Sequence, residues 1–276
     1  KKDDREGADD DDILIQFSIN IIESIYASVL DYKSLIDSNW HYLYCPKEEW
    51  AKFCKISIFL LTVRNYINGC IEGCKISSEG YYHDLKESLG KDFNTNIIAT
   101  TNYNSFIQEV LGREIIYLNG AVNILYDPYL NQLDLKEKFD SVAEKHFLVP
   151  LMFTQSGTKP MTSVSMLIKY VRMYEKLKEA DGICVVGFGF NEDDEHINGI
   201  FRELIDKDNK KIYIVDIDFQ NEFEKRKKVG QKLKIRNSSN IIFVTVDKHR
   251  LSNEKLWTKS LTNKINQSLG TENVIS

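Results

Sequence analysis

Residues 97–123, IIATTNYNSFIQEVLGREIIYLNGAVN, contain two β-branched runs that each end in an asparagine cluster, TTNYNS and LNGAVN. Asn102, Asn104 and Asn119 each offer one acceptor oxygen and two donor hydrogens, and none can take up a proton. At a strand end such amides can orient a sugar hydroxyl or hold a water. They can equally turn the chain, because Asn tolerates αL and makes Asx-turns. Further along, VVGFGFNEDD (185–194) sets Gly187 and Gly189 between a strand and a helix start. Glycines there let backbone approach a nucleotide ribose or phosphate, and the helix N-terminus favours an anion. A tight turn capped by Asn191, Asp193 or Asp194 accounts for the same pattern. VDID (215–218) ends the next strand with Asp216 and Asp218, which can accept from an adenosine ribose or cap the helix that follows.

Other chemistries find no support. Cys70 and Cys74 stand at i, i+4 without a second pair at zinc spacing, and the five histidines are scattered singly with no H-E-x-x-H. No metal site is expected. There is no G-x-S-x-G nucleophile elbow and no G-x-x-x-x-G-K-[ST] loop. A net charge of −5 argues against nonspecific nucleic-acid binding over the whole surface. An odd number of cysteines, five, points to a reducing compartment. The apolar run ISIFLLTV (56–63) is too short to span a bilayer and is flanked by Lys55 and Arg64. These features together predict a cytoplasmic protein with no membrane association.

The elements that must position these residues follow from period. Residues 1–12, KKDDREGADDDD, form a solvated acidic linker or loop. From 13 to 92 the period is helical, with apolar residues at three- and four-residue steps (Ile13, Phe17, Ile21, Ile25, Val29) and further helices over EEWAKFCKISIFLLTVRNYINGCI and YYHDLKESLG. From 93 to 276, β-rich runs recur at 96–101, 114–120, 147–153, 182–190, 210–218 and 240–246, with helical segments at 163–180 and 194–207. Most are continuously apolar, as strands covered on both faces read. The expectation is an α/β chain with a Rossmann-like, mostly parallel sheet and an N-terminal helical region. Ligands of such sheets bind beyond the carboxyl ends of the strands, at 100–104, 119–123, 154–159, 187–194 and 216–218 here.

Taken in order, IIATTNYNSFIQEVLG, EIIYLNGAVN, FLVPLMFTQSGTKP and ADGICVVGFGFNEDDEHINGIF resemble the sirtuin-like domain of bacterial anti-phage defence proteins. The family pattern has a strand ending T-x-N-Y-D, a second ending L-H-G, and a later A-D-x-x-x-x-x-G-x-[GS] segment. The likeness covers about 96–218. It implies a domain that binds NAD and cleaves the nicotinamide–ribose bond, in a protein of antiviral abortive infection. Asn102 would match the asparagine that places ribose or water, and Tyr103 the aromatic after it, with Thr101 beside them on the cofactor. Asn104 stands in place of the usual aspartate, and Asn119 in place of the usual catalytic histidine. Gly187 and Gly189 would line the nucleotide turn, and Asp216 or Asp218 would read the adenosine ribose. The family's opening G-A-G-x-S-type loop has no counterpart in these 276 residues, nor has the C-x-x-C zinc module of deacetylating sirtuins.

An amide at 119 removes a proton acceptor, and loss of a general base costs on the order of 10² to 10⁴ in rate. Ribose positioning and a polar environment still assist the leaving group. The resemblance therefore implies an NAD glycohydrolase with Asn119 at the histidine position. The alternative is a weak or inactive NAD-binding or assembly module of a defence complex. Expected partners are further copies of the chain, associating through the face ILIQFSINIIESIYASVL, or a second defence effector. Binding of a nucleotide signal other than NAD is a third reading.

Overall fold

The structure, a computed structural model, describes residues 47–127, 132–135, 149–152, 164–217 and 221–272. The acidic opening, the predicted helix beginning at Ile13, the strand-end segment 154–159 and Asp218 lie outside them. In chain order the elements are α1 (Lys47–Ile71), α2 (Tyr81–Ser88), β1 (Ala99–Thr100), α3 (Phe106–Leu111), β2 (Ile116–Tyr117), β3 (Gly120–Asp127), β4 (Gln132–Leu135) and β5 (Val149–Met152). They continue as α4 (Val164–Glu179), β6 (Ile183–Val186), α5 (Glu195–Asp206), β7 (Ile212–Asp216), α6 (Glu222–Leu233), β8 (Ile241–Thr245), β9 (Leu251–Ser252), β10 (Lys255–Leu256) and α7 (Trp257–Glu272). The chain divides into two compact units, 1–72 with 122–155, and 73–121 with 156–276.

In the first unit α1 packs on β5, the edge of a three-stranded sheet of order β4-β3-β5. The pair β3–β4 is antiparallel, in register from Ile124 opposite Leu135 to Asp127 opposite Gln132. This differs from the reading of 119–123 as a loop. Gly120 starts a strand in which Ala121, Val122, Ile124, Leu125 and Tyr126 are all buried, so LNGAVN leads from one strand almost directly into another. Arg64 of α1 donates to the Val122 carbonyl at 2.5 Å, and its burial lowers its pKa.

The second unit is α/β with parallel pairing. β6, β7 and β8 form a parallel sheet in that order, with α5 and α6 as the connections, and β1 pairs β2 in parallel (Ala99 with Ile116, Thr100 with Tyr117). Parallel neighbours need such crossovers, and the 12-residue helices α5 and α6 provide them. Central β7 buries Ile212, Tyr213, Ile214 and Val215 on both faces, as a continuous apolar run predicts. Edge strand β6 instead alternates, with Ile183 and Val185 buried and Cys184 and Val186 exposed. The core gathers Tyr213, Val215, Val244, Val246, Trp257 and Leu261, with Tyr81 and Leu85 of α2 against it.

α2 is also pinned by charge. Asp84, 8% exposed, accepts from Arg250 Nε at 2.5 Å and from the Trp257 indole at 3.0 Å, while Ser88 donates to Thr258 at 2.8 Å in the interior. The Tyr81 ring lies 5.8 Å from that of Trp257 and 6.0 Å from the Arg250 guanidinium. The carboxylate beside Arg250 raises its pKa. This clamp ties α2 to the β9–β10 hairpin region and so supports the segment that leads into β1.

Candidate functional site

The site grows from the ends of β1, β2 and β6. After β2, Leu118 and Asn119 form a turn before β3, and both are buried. Tyr170 of α4, itself 7% exposed, donates its hydroxyl to the Leu118 carbonyl and so fixes that turn. Asn119 is 6% exposed, and its Nδ2 lies 3.5 Å from Asp194 Oδ1, a long contact strengthened by the carboxylate's charge. A carboxylate only accepts, so it selects the Nδ2 side of the amide. Asn119 Oδ1 is then left buried with no hydrogen-bond partner among the described residues.

Asp194 stands at the N-cap of α5, where an aspartate ordinarily bonds its own helix, yet its side chain makes no capping hydrogen bond. The loop that carries it is held from below. Gly187 takes φ 67° and Phe190 φ 52°, the latter unusual for a bulky residue. Phe190 is 2% exposed and meets the rings of Phe188 at 5.1 Å and Phe201 at 5.8 Å, which holds the backbone in that conformation. Asn198, fully buried, donates to the Asn191 carbonyl at 2.8 Å, and Lys232 donates to the Gly189 carbonyl at 2.8 Å. His196, two residues past Asp194, meets the Tyr170 ring edge-on at 5.5 Å.

The electrostatics converge on Asp194. Burial pushes the Tyr103 phenol up to about 12, and the Asp194 charge adds to the rise. The Tyr170 phenol moves upward for the same two reasons. Tyr103 from the β1 loop, Asn119 from the β2 turn, Tyr170 from α4 and Asp194 from the β6 loop thus share one neighbourhood.

The other expected residues are placed differently. Asn102 is exposed and donates to the Tyr82 hydroxyl at 3.1 Å, while its backbone N–H meets Thr100 Oγ1 at 3.1 Å. Asn104 Oδ1 accepts from the Phe106 N–H at 3.3 Å, an Asx-turn that opens α3. Thr101 is half-buried beside them. Asp216 ends β7 with its Oδ2 3.2 Å from the Lys225 ammonium, which is buried and sits 4.6 Å from the Phe243 ring centre. The N-cap of α6 is Asn221 rather than Asp216, and its Oδ1 accepts from the Phe223 N–H.

No protein-family model and no curated protein matches the chain. The likeness to the sirtuin-like domain therefore rests on the motifs themselves. Among the described residues no group of three or more His, Cys, Asp or Glu side chains could hold a metal ion, and no helix is long and apolar enough to cross a membrane.

Sequence reasoning placed Asp194 in the strand-end segment 187–194 with its side chain as a helix cap, weighed His196 only as one of the scattered histidines, and did not weigh Tyr170. Tyr170 lies 52 residues from its partner Leu118, and Asp194 lies 75 from Asn119. Only the glycine turn before Asp194, which marks a strand end, hinted at its place.

Proposed function

We propose that the unit of residues 73–121 and 156–276 binds NAD at these strand ends and cleaves its nicotinamide–ribose bond, as the sirtuin-like motifs imply. The observation that carries this reading is Asn119. A buried amide whose nitrogen is taken by a carboxylate and whose oxygen has no partner costs about 1–3 kcal/mol unless something donates to it. A ribose hydroxyl is a donor of the right kind, so the residues present fit a nucleoside ligand. The finer expectation of a Rossmann-like sheet belongs to the same reading. It is supported by the parallel order β6-β7-β8 with intervening helices and by the glycine loop after β6.

Bound NAD supplies a leaving group that departs with the electron pair of its bond to ribose. The chain's own groups orient the sugar through Asn119 Oδ1, wall the site with Tyr103 and Tyr170, and hold a negative charge nearby on Asp194. Cytoplasmic location, a role in anti-phage defence, and association with further copies are parts of this reading. An exposed apolar row on α4 (Val164, Leu167, Ile168, Val171) would gain from such association.

Calorimetric titration with NAD and ADP-ribose, beside an assay of nicotinamide release, tests the proposal. Saturable NAD binding that weakens at least tenfold in Asn119→Ala is expected. Absence of NAD binding by the full chain would refute it. Binding without release would favour the non-catalytic alternative, which has its own support in the inability of an amide at 119 to accept a proton.

A further inference from the structure

The strand end that carries Asn119 lacks a base, yet a base stands beside it. We propose that Asp194 is the proton acceptor of the site, doing from the β6 loop what an amide at position 119 cannot. The inference rests on the NAD reading and adds to it a catalytic residue that the motifs do not assign.

Four observations carry it. Asp194 Oδ1 is the atom that meets Asn119 Nδ2, so the carboxylate is adjacent to the buried, unpartnered Oδ1 that would hold the sugar. The side chain is diverted from the capping role its position would otherwise give it. It is half-buried, so a small reactant can touch it. The two phenols that enclose the region, Tyr103 and Tyr170, are uncharged at neutral pH and cannot compete for the proton.

Glu192 and Asp193 precede Asp194 on the same turn. Glu195 pairs with Arg202 at 2.6 Å and with Lys234 at 3.5 Å, and Lys232 bonds the Gly189 carbonyl. His196, which packs on Tyr170, and the adjoining carboxylates Glu192 and Asp193 are the rivals for the proton. In the proposed step a water oxygen bonds to the ribose carbon as nicotinamide leaves with the pair of the breaking bond. One proton of that water passes to the Asp194 carboxylate, and solvent later removes it. Water is the only co-reactant.

The test uses the full chain and compares wild type with Asp194→Asn, Asp194→Ala and Asp194→Glu. NAD affinity is measured by calorimetry and turnover by nicotinamide release across pH. Wild-type turnover is expected to fall on the acid side. Asp194→Asn is expected to bind NAD within about threefold of wild type, to lose on the order of 10² to 10⁴ in turnover, and to lose the acid limb. Added formate, a carboxylate in solution, is expected to restore part of the turnover of Asp194→Ala, which a merely structural aspartate would not allow. If Asp194→Asn fails to fold, Asp194→Glu decides, since it keeps a carboxylate and with it the acid limb.

Turnover of Asp194→Asn within tenfold of wild type overturns the inference while leaving the NAD reading intact. So does an acid limb that survives in Asp194→Asn near pH 6.5, about where an imidazole titrates, which would assign the proton to His196. Wild-type NAD binding without any nicotinamide release also overturns it and leaves binding standing. No NAD binding at all removes the NAD reading first and the inference with it.

Discussion

Replacing Asn119 by leucine separates a ligand-binding amide from a structural one. The residue is 6% exposed, its Nδ2 makes a 3.5 Å contact with Asp194, and its Oδ1 has no partner. Leucine has the same number and branching of side-chain heavy atoms, with bulkier methyl groups and no polar atoms. Removing the orphaned oxygen relieves about 1–3 kcal/mol of desolvation. Against this stand the lost contact to Asp194, worth about 1 kcal/mol at that long distance, and about 1 kcal/mol for the change of shape. Asp194 is half-buried and can be rehydrated, so no large penalty follows at that end. The balance places Asn119→Leu within about 1 kcal/mol of wild type, in either direction. Urea unfolding of the ligand-free protein, followed by far-ultraviolet circular dichroism, measures this through the midpoint at unchanged slope. NAD affinity in the same variant should fall at least tenfold, since the hydroxyl acceptor is gone. A loss of more than about 2 kcal/mol would refute the reasoning, because it would mean that the amide holds the fold together rather than awaiting a ligand.

Two further outcomes follow from the same unit. Asp84→Ala should destabilise by about 3 kcal/mol, because it leaves the part-buried Arg250 without its carboxylate and the Trp257 indole N–H without its acceptor; Asp84→Asn, which keeps one acceptor, should cost about half as much in urea unfolding. Tyr103 has its folded pKa raised above the ordinary phenol value of about 10, so the stabilisation from its protonated form is whole below pH 10 and is lost as pH rises towards about 12. Thermal unfolding between pH 9 and 12 should therefore show a falling Tm that is less steep in Tyr103→Phe, and an unchanged slope would contradict the burial of that phenol.

The scaffold around the site was partly legible in the chain. Continuous β-branched runs located β6, β7 and β8 to within a few residues, since burial on both faces or one still demands apolar side chains at most positions. EEWAKFCKISIFLLTVRNYINGCI was legible as α1 for the same reason in a helical period. The strand β3 was not, because GAVNILYD opens with residues that suit a turn equally well, and its partner β4 contributes the pairing from outside that local window. The hairpin β9–β10 was missed because each of its strands is only two residues long and carries no period.

What the sequence by itself determined was the alternation of strands and helices, the ordered motifs that resemble a sirtuin-like domain, and the presence of an amide where that pattern carries a histidine. Those are properties of local composition and spacing. Tertiary structure alone decided which of the amides share a site. Asn104 is spent on the N–H of Phe106 two residues away and Asn102 faces solvent beside Tyr82, while Asn119 is buried against a carboxylate 75 residues distant. It also decided that Asp216 faces a buried lysine and that Asp194 leaves its own helix uncapped by its side chain to meet Asn119. A side chain's chemistry depends on which partners burial brings to it. Those partners come from elements far apart along the chain, beyond the reach of any local pattern.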